Sequence, residues 1–271
     1  MIETGDAGVR ASEFCLQESF AYRFDWGLHG LAALAPFADV VVIVDVLRFS
    51  SAVSAAVESG GTVYPYPWAD EGAAVYAADR NAVLAGRREH GELSLSPTDL
   101  LAAQPGVRIV LPSPNGSALA FAARDHGARH VLAGCLRNAT ATAMLARECA
   151  ASGSGVIAIV AAGERWHNAT GPLRPAIEDL LGAGAVFAAL DPSGAVGAPC
   201  CSPEAAAARA AFVAARSTLG HTLAHCASGR ELVARGWADD VATAAAHDVT
   251  SIAVQLVGDA FVAVPTATAL A

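Results

Sequence analysis

Charge is sparse in this chain, and positive charge is sparser than negative. Only 16% of residues are charged, and 17 Lys+Arg against 26 Asp+Glu leave a formal net charge of -9. No long basic stripe offsets that deficit, which argues against a nucleic-acid surface. A small anionic ligand is not excluded, because a few arginines and a metal ion reverse a local field. The cysteine spacing of a zinc site or a disulfide scaffold is also missing. Cys15, Cys135, Cys149 and Cys226 are scattered, Cys200 and Cys201 are adjacent, and no Cys-x-x-Cys pair occurs among the six. Free thiols in a reducing cytoplasm are expected. Glu3, Asp6 and Glu13 near the amino terminus flank no apolar signal core, and no apolar run is long enough to cross a bilayer. Neither secretion nor membrane insertion is expected. What is abundant is apolar: 54% of residues, much of it alanine, which suffices for a substantial core and says little about function.

A length of 271 residues suits one large α/β domain or two modest ones. The uninterrupted, mostly β-branched run Val40–Val44 reads as a strand buried on both faces, as in a parallel sheet. Further strands are predicted at residues 62–66, 107–111, 130–133 and 155–160, alternating with Ala-rich helices. Pro65 makes the 62–66 strand peripheral or ends it early. Residues 68–84 read as one helix, and residues 22–30 as a loop feeding a short helix. The fold class expected is α/β, a largely parallel or mixed sheet with helices on both faces, plus a C-terminal helical segment and an edge hairpin around Gly258 and Asp259. Residues 14–190 form the core in this reading, and residues 191–271 a helical and edge-strand portion packed on the same domain.

The strand ends concentrate the chemistry. In an open α/β sheet, ligands bind outside the carboxyl ends of the strands. Asp45 follows Val44 directly, with Arg48, Ser50 and Ser51 in the next turn. A carboxylate and a guanidinium there would hold a cation beside an oxyanion; a helix cap paired to an arginine is the simpler account. After the 107–111 strand, Pro112-Ser-Pro-Asn115-Gly116-Ser117 offers successive N–H groups at a helix start, an anion nest. Asn138 is placed to cap the helix at 139–149, with Arg137 beside it as another anion-oriented group. Glu178 and Asp179 put two carboxylates into the first turn of a further helix. The charged run 87–92 is a solvated loop or an anion-facing lid. Trp26 and His29 pack over a helix start or line a pocket. Cys135 lies in a strand-end loop without the Cys-x5-Arg phosphate loop, so a buried thiol is preferred to a nucleophile. His29, His90, His126, His167 and His221 are available acids, none singled out by spacing.

Several of these stretches together resemble one family. Val44-Asp45-Val-Leu-Arg48-Phe-Ser50-Ser51, with Trp26-Gly27 ahead of it, is similar to the opening signature of the 2-phosphosulfolactate phosphatases. Asn115-Gly116-Ser117-Ala-Leu resembles their Asn-Gly-Thr-x-Ala-Leu loop, and Gly134-Cys-Leu-Arg137-Asn138-Ala their Gly-x-x-x-Asn-Ala helix start. Glu178-Asp179-Leu looks like their later acidic pair, and Ser228-Gly229-Arg230 with Gly236…Asp239-Asp240 like their C-terminal signature. Order and spacing agree over about residues 22–250. The segment 91–97 departs: Gly-Glu-Leu-Ser-Leu-Ser-Pro stands where Gly-Phe-Asp-x-Gly-Asn-Ser-Pro is the pattern.

The resemblance implies a cytoplasmic, magnesium-dependent phosphatase acting on a small acidic phosphoester, 2-phosphosulfolactate going to 3-sulfolactate and phosphate. Mg2+ takes hard oxygen ligands, so Asp45, Glu178 and Asp179 are the metal candidates. Asp45, Arg48, Asn115, Asn138 and Glu178 form the expected catalytic set. Arg48, Gly116, Ser117, Arg137 and Arg230 are the expected substrate-binding groups. The catalytic set should converge on one cleft at the carboxyl ends of the sheet. A different enzyme on the same scaffold, or a non-catalytic protein binding an anionic metabolite, are the alternatives. The weakly charged Ala-rich helices also suit packing against a second copy in a homo-oligomer.

Overall fold

The computed structural model describes residues 13–265 apart from 68–69, 87, 89–91, 167–170 and 194–199. Among the described residues nine strands form one mixed sheet. The first four in spatial order are β1 (Tyr22–Trp26), β7 (Ile157–Ala161), β2 (Val40–Val44) and β6 (His130–Gly134), all parallel. Next come β10 (Ala253–Val257) and β11 (Ala260–Val264), an antiparallel hairpin. The far side is β3 (Thr62–Tyr66), β5 (Arg108–Pro112) and β4 (Val83–Leu84), again parallel to one another.

The strand composition follows from burial on both faces. Val40 to Val44 are all at 0% exposure. Period-two alternation sends Val40, Val42 and Val44 into one core and Val41 and Ile43 into the other. Ile157 and Ile159 of β7 join the first core, and Ala158 and Val160 the second. The first core is closed by α6 (Ala139–Ala150), α7 (Ile177–Leu190) and α8 (Pro203–Ala215). The second is closed by α1 (Gly27–Leu34), α2 (Phe49–Glu58) and α5 (Gly116–Asp125). Gly184 allows α7 to lie against α8: a Cβ there would sit 2.1 Å from the Ala208 carbonyl oxygen.

The mixed α/β sheet agrees with the sequence; several details do not. The hairpin lies inside the sheet, between β6 and β3, not at an edge. Burial on both faces explains why: Ala253 joins the first core and Val254 and Phe261 the second, where Phe261 packs edge-on to Phe49 at 6.1 Å. β3 is likewise interior. Thr62 donates toward β5, so alternation turns the Pro65 nitrogen toward β11, which pairs with β3 only at Val63 and has no bond to lose there. Residues 22–26 are a strand, not a loop, and the single helix expected at 68–84 is α3 (Glu71–Ala78) followed by β4. A small ribbon, β8 (Glu164–Arg165) with β9 (Leu173–Arg174), occupies a stretch that carries no strand pattern. The remaining short helices are α4 (Pro97–Leu101), α9 (Leu219–His225), α10 (Ala227–Ala234) and α11 (Ala238–Ala245).

Three antiparallel junctions separate β6 from β3, so β5 runs nominally opposite to β2. Right-handed twist of roughly 20–25° at each of the steps from β2 to β5 accumulates to about 100–125°. That rotation swings the carboxyl end of β5 back toward the carboxyl end of β2.

Candidate active site

The two strand ends meet at Asp45. One oxygen, Oδ1, accepts the Phe49 N–H at 3.1 Å, which caps α2, and Oδ2 accepts the Gly116 N–H at 3.0 Å, which ties in α5. The anion nest at the start of α5 is therefore aimed at the chain's own carboxylate. Gly116 must be glycine, because a Cβ would fall 2.2 Å from a ring carbon of Phe49. Ser50 donates to the Ile43 carbonyl and Ser51 to the Val46 carbonyl, and both are buried ties that hold the turn after β2.

Behind Asp45 lies the start of α7. Asp179 accepts the Val46 N–H at 2.7 Å and the Gly163 N–H at 2.9 Å, clamping the ends of β2 and β7 together. Glu178, one residue earlier, points elsewhere on the helix, as a rotation of about 100° per residue requires. It is 2% exposed, and its Oε2 has no hydrogen-bond partner among the described residues. The electrostatics follow. Burial, opposed by the two N–H groups and reinforced by Glu164 and Glu178, pushes the Asp45 carboxyl up to about 7. Burial and then the charges of Asp45 and Glu178 hold Asp179 well above the usual carboxylate range. The Cys226 thiol, pushed up to about 12 by burial and by Glu178, closes the same corner.

In front of Asp45 is a cleft of about 720 Å³, lined among others by Asp45, Arg48, Asn115, Glu164, Arg165 and Arg174. Arg48 is held at 2.8 Å from Asp240, with its guanidinium 4.7 Å over the Trp237 ring. Asp240, wholly buried on α11, also takes Arg88 at 3.1 Å and the Ser96 hydroxyl at 2.5 Å. The β8–β9 ribbon supplies the opposite wall. Glu164 accepts from Asn115 Nδ2 at 3.2 Å and from the Arg165 N–H at 2.8 Å, and Arg174 donates to the Ser228 hydroxyl at 3.2 Å.

Asp45, Arg48 and Asn115 thus share the cleft, with Glu178 buried behind Asp45. Asn138 stands apart. Its side chain does not cap α6; it accepts the Cys135 N–H at 3.0 Å and donates to the Ala133 carbonyl at 3.1 Å, folding its own loop. Ser117 donates to the Leu111 carbonyl at 2.8 Å and is fully buried. Arg137 is a buried tie, bonded to Glu58 at 2.6 Å and to the Thr243 carbonyl. Arg230 is exposed on α10 and is not among the residues lining the cleft. Cys135 is buried and its thiol is pushed up by burial, the opposite of an activated nucleophile. Trp26 and His29 line a second cavity of about 760 Å³. His90, Gly91 and His167 lie outside the described residues, as does part of the charged run at 87–92.

Glu164, Arg165 and Arg174 line the cleft and Asp240 braces Arg48 beside it, and none of the four is among the candidates read from the strand ends. The acidic pair Asp239-Asp240 was visible in the C-terminal signature, and only the fold shows that it holds Arg48. Glu164 lies three residues beyond β7, in the loop at that strand's carboxyl end, and that placement is the signal that would have found it.

The donor set suits a hard divalent cation: buried carboxylate oxygens, one of them orphaned, with no ion pair to Asp45, Glu178 or Asp179 among the described residues. It is not a closed cage, because among the described residues no three of the site carboxylates bring oxygens within 4.8 Å of one another. Mg2+ is commonly held by one or two carboxylates plus waters and substrate oxygens. Asp45 and Glu178 fit that manner of binding, because Asp45 faces the cleft and Glu178 keeps an oxygen without a partner among the described residues; Asp179 does not line the cleft, although its oxygens, like those of Asp45, each accept a backbone N–H.

A family model described as 2-phosphosulpholactate phosphatase matches residues 31–259. The chain is also 33% identical over 153 residues to a protein of Thermus thermophilus named "Probable 2-phosphosulfolactate phosphatase". That alignment covers 55% of this chain and 60% of the relative, so the chain spans about three fifths of the length of the curated protein it matches. Among the described residues no helix is long and apolar enough to cross a membrane.

Proposed function

This chain belongs to the 2-phosphosulfolactate phosphatase family, and from that premise we propose that it hydrolyses a small acidic phosphoester, 2-phosphosulfolactate to 3-sulfolactate and phosphate, with Mg2+ as cofactor. The observation that supports the reading is the two-sided cleft: a floor at Asp45 with the buried carboxyl of Glu178 behind it, and walls carrying Arg48, Arg165 and Arg174. A substrate with phosphate, carboxylate and sulfonate groups needs several guanidinium contacts, and arginine recognises each by paired N–H donors.

Asp45 and Glu178 would hold the ion, which when bound supplies charge neutralisation on phosphoryl oxygens. The chain's own groups do the rest. Arg48, kept in place by Asp240 and Trp237, binds an oxyanion without first losing rotamer freedom. Asn115 lends a neutral amide and fixes Glu164, the cleft carboxylate placed to accept a proton from an attacking water. Leu95, from the segment that departs from the family pattern, also lines the cleft. Divergence in substrate would therefore show at the leaving group.

Phosphate release from 2-phosphosulfolactate tests the reading. Activity should vanish with EDTA, return with Mg2+, and fall about a hundredfold or more in kcat/KM in Arg48→Ala. Full turnover in EDTA would reject the metal role. Release from other acidic phosphoesters but not from this one would move the assignment to a neighbouring substrate.

A further inference from the structure

The α7–α8 connection carries a cluster that the cleft does not use. Asp191, the residue after α7, and the adjacent Cys200 and Cys201, just before α8, bring one carboxylate oxygen and two sulfurs within 4.8 Å of one another, all half-buried. We propose that this cluster is a binding site for a thiophilic divalent cation of the zinc class, with Cys200, Cys201 and Asp191 as ligands.

The distances carry the argument. The two sulfurs are 4.0 Å apart. That is about twice a disulfide bond. It is close to the roughly 3.8 Å that two thiolates subtend on a tetrahedral ion with Zn–S bonds of about 2.3 Å. A carboxylate oxygen at about 2.1 Å completes three protein ligands, with a fourth position for water. Adjacent cysteines ordinarily send their side chains to opposite sides of an extended backbone. Here the dipeptide is bound to the edge of the sheet: Tyr22 donates to the Cys200 carbonyl at 2.6 Å, and Ser202 donates to the Tyr22 carbonyl at 2.9 Å. The third ligand is also fixed. Ser193 donates to Asp191 Oδ1 at 2.6 Å, and Arg209 holds the Asp191 carbonyl at 3.2 Å. Ligation would join α7, α8 and β1 at one point.

Loading balances as two S–H bonds broken, two metal–sulfur bonds formed and two protons released to water, the carboxylate binding as it stands. The site is independent of the phosphatase reading. Asp191 and Glu178 lie at opposite ends of α7, about 20 Å apart at 1.5 Å per residue.

The test is a titration of reduced, metal-stripped full-length protein with Cd2+ and with Zn2+. We expect one equivalent bound, a thiolate-to-cadmium absorption of two-sulfur intensity, and two protons released per ion. Zn2+ near a hundredfold excess over Kd should raise the melting temperature by roughly 5–10 °C. The Cys200→Ser/Cys201→Ser variant should lose the absorption and the thermal response, and Asp191→Asn should weaken binding at least tenfold. Should the double variant fold poorly, alkylation of the parent decides: bound Zn2+ must protect Cys200 and Cys201 while Cys15 and Cys149 stay reactive. No two-thiolate absorption, or protection that leaves Cys200 and Cys201 reactive, overturns the assignment.

Discussion

Replacing Asp45 by asparagine separates its electrostatic burden from its hydrogen bonds. The carboxyl titrates near 7 in the folded chain and near the ordinary 3.8 when unfolded. Between about pH 4 and pH 7 the folded state therefore binds more protons than the unfolded state. Stability then falls as pH rises through that window, by about 4 kcal/mol in all at 1.36 kcal/mol per pH unit. The substituted amide never ionises and escapes the loss. It carries a cost of its own, since an amide has one oxygen where the carboxylate offers two. Its NH2 must then face either the Phe49 N–H, leaving that donor unpaired, or the Gly116 N–H, leaving it only the 3.2 Å bond to the Ser113 hydroxyl, at about 1–3 kcal/mol. In EDTA at pH 8, Asp45→Asn should be more stable than the parent by about 1–3 kcal/mol, roughly 3–9 °C in melting temperature. At pH 4, where the parental carboxyl is also neutral, the two should agree within about 1 kcal/mol. Adding Mg2+ at pH 8 should restore the parent and leave the variant unmoved, with phosphate release nearly abolished in the variant. Thermal melts from pH 4 to pH 8, with and without Mg2+, read all of this. Parallel pH curves would refute the raised titration, and a parental magnesium response with parental turnover would return Asp45 to a plain helix cap.

Gly116→Ala should cost about 1–3 kcal/mol through the clash with Phe49 and lower turnover by displacing the N–H that Asp45 accepts; melts and phosphate release together check both halves. Asn138→Ala should behave oppositely to a catalytic substitution. It leaves the Cys135 N–H and the Ala133 carbonyl unpaired at full burial, costing about 2–5 kcal/mol, while kcat and KM of the folded fraction stay near parental. Turnover lost without stability lost would bring Asn138 back into the site.

Local sequence determined a good deal here. Val40–Val44 could only be a strand covered on both faces, because every residue in it is apolar and alternate positions must find separate cores. The carboxylate at its end and the Asn-Gly turn after β5 were legible for the same local reason: strand ends and turns are specified by neighbours in the chain. Tertiary structure decided the rest. The hairpin 253–264 has the same alternation whether it lies at an edge or between β6 and β3, and only its partners settle which. Gly116 offered an N–H to any anion; accumulated twist across the sheet brought it Asp45. Arg48 and Arg137 both looked like free cations near a helix start. The fold set Asp240 beside one at the cleft and buried the other against Glu58. Cys200 and Cys201 showed no metal-ligand spacing, because the third group, Asp191, reaches them only once α7 and α8 have packed. Spacing along a chain reports contacts within a few residues, and charge pairs that close across 79 or 192 residues leave no trace in it.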